Sequence, residues 1–436
     1  MQALLPNPRI RLLELPNLPL VRPYPTRLLK ALAPLFVALC CLALPAFAAG
    51  ATHSMKWARS VLLENPNRGG GLDAIGCAPS VAGSQALMCV AGDVNGNVFV
   101  SIHPARGSHA WRRERIDPKV AITGVACPST QLCVAVDADG QVMHSVHPLR
   151  GPAYWSKPVR IDTATQAGGG YAGFAAIACP STTLCLAVDN AANGQVAYTT
   201  DPTGPASAWS LTTIGNGVTL DSVACASVSL CVVGGTNVYY STDPTGAASA
   251  WTATASLGSS YSVVAALACN TVKLCVGVGY GNAGAGLAAG SSTPSATNWT
   301  ASSIGSDPPA QNAGVIDSVA CPARNFCVAV DGASNAYTST TPVRGHWSLP
   351  RPLKRRSQAT FSQVSCNATL CVEVDNRGTV TYGVVKSTQP TTPTKPTTTK
   401  TTTKTTTSTK TTTSTKTTTS TKTAGSSTTG ASTTTT

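Results

Sequence analysis

The chain predicts an all-β fold: a seven-bladed β-propeller of four-stranded antiparallel blades, closed by the N-terminal strand, with a disordered C-terminal tail. Three observations carry this. Fourteen cysteines fall into seven local pairs at a regular period, seven tryptophans recur at one position of that period, and the last repeat lacks a strand that an N-terminal segment can supply. Composition agrees. The 436 residues include 38 Gly and 30 Pro, and only 11% are charged. An apolar content of 42% rules out a wholly disordered chain. Low charge with abundant Ala, Ser, Thr and Val favours strands over helical bundles. No apolar stretch suits a multi-span membrane protein.

Residues 1–48 read as an export signal. Arg22, Arg27 and Lys30 precede an apolar run over 31–48, and Ala46-Phe47-Ala48 is a small-x-small cleavage site. The mature chain then starts near Ala49 and keeps no transmembrane span. Secretion or display at the cell surface follows, in a compartment where disulfides persist. The net charge of +13 is unevenly spread: the leader contributes +4 and residues 386–436 contribute +7. The body between them is close to neutral, so nucleic acid is not an expected partner.

The body, 49–390, holds the repeats. The pairs are Cys77/Cys89, Cys127/Cys133, Cys179/Cys185, Cys225/Cys231, Cys269/Cys275, Cys321/Cys327 and Cys366/Cys371. The second cysteine recurs at intervals of 44, 52, 46, 44, 52 and 44 residues, the length of a propeller blade. Each repeat reads as a strand ending in Cys, a short turn, and a strand starting at the second Cys. Leu132, Val134 and Val136 alternate on one face of such a second strand. An Asp/Gly/Asn turn, a third strand and a Pro-bearing loop follow, and the repeat's Trp opens a fourth strand.

Spacing of the C-x5-C type is not that of zinc sites, and few His lie near, so no metal is assigned. Cysteines facing each other across a hairpin are close enough to bridge. A loop this small contributes about 2–2.5 kcal/mol per bridge in the chain-entropy model. The recurring Trp57, Trp111, Trp155, Trp209, Trp251, Trp299 and Trp347 are read as packing between blades rather than as a sugar-stacking surface. The first of them precedes repeat one, and repeat seven has none of its own. The segment 56–63 is therefore expected to complete blade seven, which closes the ring and removes its open edges.

Ser241-Thr242-Asp243-Pro244-Thr245-Gly246 before Trp251, and Thr200-Asp201-Pro202-Thr203-Gly204 before Trp209, resemble the Asp-box turn of sialidase-type propellers. Here the gap from Gly to Trp is longer than in that motif, and only two repeats hold both Asp and Gly. The whole repeat is similar to exported bacterial propeller repeats. The Asp-box is a fold-stabilising turn, so the resemblance implies architecture and no activity.

Chemistry leaves little trace. Only Glu64, Glu114 and Glu373 follow the leader as glutamates, and no nucleophile-elbow, zincin or P-loop pattern occurs. No catalytic residue and no cofactor is assigned. The reading is a monomeric, exported binding or adhesion module that presents a ligand to its loop face. Its partner would be a cell-wall or extracellular polymer, or a surface protein. The alternatives are a glycoside hydrolase or lyase acting on extracellular glycans, and a structural envelope protein. A candidate anion-binding set is Arg59, Arg68, Arg351, Lys354, Arg355 and Arg356, around the ring closure. Residues 391–436, almost all Thr, Lys and Ser, cannot bury a core and are expected to be disordered.

Overall fold

The computed structural model describes residues 52–388 apart from 66–69, 80–86, 119, 164–172, 255–260, 282–283, 297, 305–314, 334 and 354–358. The segments expected to form an export signal, 1–48, and a tail, 391–436, lie outside the described residues, as do Arg68, Lys354, Arg355 and Arg356. Seven antiparallel sheets follow one another along the chain. Blade 1 consists of Leu72–Cys77, Cys89–Asp93, Asn97–Ser101 and Arg112–Arg115, from the inner strand outward. Blades 2 to 6 repeat this order from inner strands Ile122–Ala126, Phe174–Ser181, Leu220–Ser227, Tyr261–Thr271 and Ile316–Ala323. Blade 7 has Ser362–Cys366, Leu370–Asp375 and Thr379–Thr388, and the N-terminal segment is its outer strand.

That outer strand is Thr52–Trp57 followed by Val61–Leu62, in place of a single strand over 56–63. It starts earlier because no loop has to turn back there: Thr388, the end of the third strand, lies directly opposite Thr52, and the ladder runs on to Trp57 opposite Gly383. Pairing breaks at 58–60 and resumes with Val61 opposite Val380. Trp57 keeps the position of its counterparts. Cys371, Gly383 and Trp57 form one row across blade 7, as Cys231, Ser241 and Trp251 do across blade 4.

The fourth strand opens at the Trp in blades 3 and 4, with Trp209 and Trp251 as first residues. In blades 2 and 6 it shrinks to Val159–Arg160 and Arg351–Pro352, four residues beyond the Trp. Pro158 and Pro350 stand in these stretches. Pairing begins beside the Trp, with Trp155 opposite Ser145 and the Ser348 N–H donating to the Thr338 carbonyl at 2.8 Å, and proline, which has no N–H for the ladder, interrupts it.

Seven disulfides staple the start of each blade's second strand to the end of its inner strand, with Cα separations of 4.0–4.1 Å. Blades 1 to 4 carry Cys77–Cys89, Cys127–Cys133, Cys179–Cys185 and Cys225–Cys231. Blades 5, 6 and 7 carry Cys269–Cys275, Cys321–Cys327 and Cys366–Cys371. The two members of a bridge differ in environment. Cys89, Cys133, Cys185, Cys231, Cys275, Cys327 and Cys371 are all fully buried, because the second strand is covered on both sides. Their partners are half-buried, except Cys127, which is buried. Cys275 and Cys327 therefore belong to the wedge cores, beside Ala289 in one and beside Ala329 and Tyr337 in the other, and offer no surface to a ligand. The cysteine positions are structural sites, with their sulfurs spent on the bridges. Blade 7 has one residue fewer between its cysteines, and Asn367 closes this tighter turn. Its Oδ1 accepts the N–H of Thr369 and of Leu370 at 2.9 and 2.8 Å.

Along the second strands, alternation sends successive side chains into opposite inter-blade wedges. Cys133 and Ala135 enter the wedge between blades 1 and 2, whereas Leu132, Val134 and Val136 enter the next one. Among the described residues there are seven apolar clusters, one per wedge, and each contains one repeat Trp. Trp111, Trp155, Trp209 and Trp251 are buried; Trp57, Trp299 and Trp347 are half-buried. The tryptophans are thus wedge fillers, each burying a large ring where two twisted sheets diverge.

Polar links stitch the inner ring. Thr123 Oγ1 donates to the Phe174 carbonyl, joining blades 2 and 3. Ser222 Oγ accepts the Leu267 N–H at 2.8 Å, Ser318 Oγ that of Val364 at 3.1 Å, and Ser365 Oγ that of Cys77 at 3.1 Å. Inner strands therefore meet through side chains, at a spacing that leaves a central channel open.

Candidate functional site

The inner strands run from one face of the ring to the other, so the residue early in each strand stands at one mouth of the channel. Counting back from the first cysteine of each pair, four positions earlier gives Asp73, Thr123, Ala175, Asp221, Ala265 and Asp317. In blade 7 the count is three and gives Gln363. All seven line one cavity of about 880 Å³. Asn190 and Asn376, from turns between second and third strands, also reach it, as do Tyr280, Phe361 and Phe174, the last with its side chain buried in the wedge between blades 2 and 3. A narrower space of about 140 Å³ continues inward past Gly124, Ser222 and Ser318.

The electrostatics of the mouth are one-sided. Asp73, Asp221 and Asp317 come from blades 1, 4 and 6, and no Lys, Arg or His is among the described lining residues. Burial pushes the Asp73 carboxyl above the ordinary carboxylate range, and the nearby Asp93 charge adds to this. Burial alone raises Asp221. Asp73 and Asp221 are half-buried and make no hydrogen bond or ion pair among the described residues. Two partly desolvated carboxylates thus face an open cavity with their acceptor capacity unspent.

None of the sequence motifs falls on this mouth. The signal was present: when the repeats are aligned on the first cysteine, the fourth position back changes chemical type from blade to blade, while its neighbours stay apolar or small. A structural position keeps its type; one that varies among Asp, Thr, Ala and Gln faces a cavity.

The residues the sequence did single out lie elsewhere. Arg59 and Arg351 are exposed on the outer strands of blades 7 and 6, and Arg351 Nη1 donates to the Met55 carbonyl at 3.4 Å. The inter-blade connections expected to carry a ligand fall largely outside the described residues. The three glutamates enter three different wedges. Glu64 approaches Arg113 at 3.5 Å beside blade 1, Glu114 receives the Trp155 indole in the wedge of blades 1 and 2, and Glu373 alternates with Val372 and Val374 on blade 7. In the loops before the Trp, His103, His147, Asp201 and Asp243 donate their backbone N–H to the Ser or Thr hydroxyl two residues earlier. The hydroxyl caps each of these turns, and in blades 3 and 4 the Asp caps as well: Asp201 Oδ1 accepts the N–H and the hydroxyl of Thr203 at 3.3 and 3.0 Å, and Asp243 Oδ1 accepts the Thr245 hydroxyl at 3.1 Å. No group of three or more His, Cys, Asp or Glu that could hold a metal occurs among the described residues. No helix among them is long and apolar enough to cross a membrane.

No family model and no curated protein sequence matches the chain. Solved structures do match in fold. YCF48 bound to D1 peptide superposes with a TM-score of 0.54 at 12% identity, covering 77% of this chain and 96% of that one. The WD40 β-propeller domain of Doa1 gives 0.54 at 8% identity, with 76% and 97% covered. YCF48 from Cyanidioschyzon merolae gives 0.52 at 12% identity, with 74% and 98% covered. At such identities the likeness is one of architecture: the chain is an all-β propeller of seven four-stranded blades.

Proposed function

We propose that the protein is an exported binding module whose channel mouth takes a cationic segment of an extracellular or surface protein. The observation that carries this is the pair Asp73 and Asp221, unpartnered and half-buried in a cavity of about 880 Å³ that has no basic residue among its described lining. A Lys or Arg side chain supplies donors that these carboxylates lack, and its charge opposes the upward push that burial gives both. Tyr280 and Phe361, both half-buried, add apolar area beside them. One structural neighbour is named as bound to a peptide. Seven disulfides support an oxidising compartment and hence export.

The test is calorimetric titration of the full chain with two sets of short peptides, Lys/Arg-bearing and Asp/Glu-bearing, at low and physiological salt. Saturable binding of the basic set only, weakened by salt and by Asp73→Asn with Asp221→Asn, is the expected result. Binding that is unchanged in the double variant, or equal for the acidic set, would overturn the proposal.

A further inference from the structure

The face opposite the mouth is built from two sets of turns: the cysteine-bridged hairpins, and the loops that lead from each third strand to the Trp. Among the described residues these turns hold Arg106, Arg150, Lys273, Arg324 and Arg344, against Asp201 and Asp243 as the acids. All five cations are exposed, and no ion pair among the described residues reaches them. Charge is thus polarised along the channel axis, with carboxylates lining the mouth and cations at the back. The chain beyond Thr388 adds six lysines and no acid.

The loops of blades 1 and 2 combine this charge with apolar side chains. Of the eleven large apolar residues left exposed among the described residues, four stand in these two adjacent loops: Ile102, Val146, Leu149 and Tyr154, each 40–45% exposed. Scattered singly they would need no account, but here they cluster around Arg106 and Arg150. The blade does not require them. Ile102 and Val146 occupy the position held by Thr200, Thr242, Ser292 and Thr340 in blades 3 to 6, and Leu149 that of Thr203 and Thr245. Nor can they turn inward, because the loops are fixed. In blade 2, Ser145 Oγ accepts the His147 N–H at 3.2 Å, and the Arg150 N–H donates to the His147 carbonyl at 2.9 Å. Blade 1 repeats both bonds at Ser101, His103 and Arg106, at 3.1 and 2.9 Å. Pro148 and Trp155 are buried and pin the blade 2 loop, and Tyr154 stands 5.9 Å from the His147 ring and 5.6 Å from the Arg150 guanidinium.

We propose that the back-face loops of blades 1 and 2 dock on an anionic lipid surface, with Arg106 and Arg150 at the headgroup phosphates and Ile102, Val146, Leu149 and Tyr154 entering the boundary beneath. Cations beside protruding apolar side chains suit a bilayer interface, where the headgroups answer the charge and the acyl layer answers the apolar atoms. A soluble polyanion would answer the arginines and leave four apolar side chains in water. An apolar protein patch would leave the arginines without a counter-charge. Tyrosine fits the boundary on its own account, with an apolar ring and a polar tip.

The experiment is flotation of the full chain with vesicles of phosphatidylcholine alone and of an equimolar phosphatidylcholine–phosphatidylglycerol mixture, at low and physiological salt, with heparin titrated in parallel. The expected result is flotation with the mixed vesicles only. Arg106→Ala and Arg150→Ala should each weaken partitioning about fivefold. Ala296 already holds that position in blade 5. Val146→Thr with Leu149→Thr, which copies blades 3 and 4, should weaken it about tenfold with unchanged far-UV circular dichroism. Ile102→Thr, in the other loop, should weaken it about threefold and keeps the test open if that double variant fails to fold. No flotation with the mixed vesicles, or equal flotation with phosphatidylcholine alone, would overturn the proposal. Flotation that none of these substitutions weakens would overturn it too and place the attachment on the lysines beyond Thr388. Heparin binding lost in the arginine variants, with flotation indifferent to the threonines, would overturn it in favour of a soluble polyanion.

Discussion

Trp155 donates its indole N–H to Glu114 Oε2 at 3.1 Å, across the wedge between blades 1 and 2. Arg112 holds the other carboxylate oxygen from the half-exposed side of the same strand. The indole nitrogens of Trp111, Trp251, Trp299 and Trp347 are buried without a partner. Glu114 thus gives one wedge a polar tie that four others lack. Glu114→Ala strands the indole donor in an apolar wedge, which costs about 1–3 kcal/mol. Arg112→Ala removes only a partly screened ion-pair partner and costs under about 1 kcal/mol. Urea unfolding of the two variants should rank them in that order.

The disulfides act blade by blade. Replacing Cys179 and Cys185 together by Ala releases a hairpin with a sequence separation of 6, for a loss of about 2 kcal/mol. The twelve remaining cysteines of the described body should stay protected from iodoacetamide without reductant, as peptide mass mapping would show.

Ring closure depends on one strand pair. Deleting residues 52–62 exposes the third strand of blade 7 along its full length and leaves Phe326, Val328 and Leu353 of the adjoining wedge without Met55. An open edge of that kind pairs with other chains. Size-exclusion chromatography should show oligomers, and the melt should broaden. A monomer with an unchanged melt would mean that closure adds nothing.

Two buried acid pairs set the pH response of the protein, Asp117 with Asp137 between blades 1 and 2 and Asp162 with Asp189 between blades 2 and 3. Desolvation by burial, with the paired carboxyl adding to it, raises Asp137 to about 7 and Asp189 to about 8, against an ordinary value of 3.8. The folded protein then keeps protons that the unfolded chain has released. The stability contributed by these groups is full below about pH 4 and is lost as pH rises through 7 and 8. The melting temperature should fall between pH 5 and pH 8.5. Asp137→Asn with Asp189→Asn should flatten that fall.

The fold was legible because each blade repeats the same constraint. Cysteine pairs mark the hairpin of the first two strands, the Trp marks the wedge, and the missing seventh fourth strand points to 56–63, within and beside the observed 52–62. Strand bounds were less legible where proline acts through a missing N–H, as at Pro158 and Pro350, and where a ladder runs on for want of a loop, as at Thr52. The mouth was hidden for another reason. Asp73, Asp221 and Asp317 are far apart in sequence, and each sits singly in an otherwise ordinary strand. Only closure of the ring turns three isolated residues into one acidic site. The acid pairs were hidden likewise, since Asp117 and Asp137 belong to different blades and meet only because the wedge between them is filled.

The pairing of Thr52 with Thr388 fixes how the ring can be held. Blade 7's third strand starts at the turn beside Asn376, on the mouth side, and finishes at Thr388 on the far side, where Thr52 begins. Both ends of the propeller therefore leave from its back. A bead, a chip or a membrane attached through either end would hold every copy with the channel mouth turned outward. Attachment at Thr52 or Thr388 should cost the protein no ligand access, whereas random coupling through lysines would not preserve that common orientation.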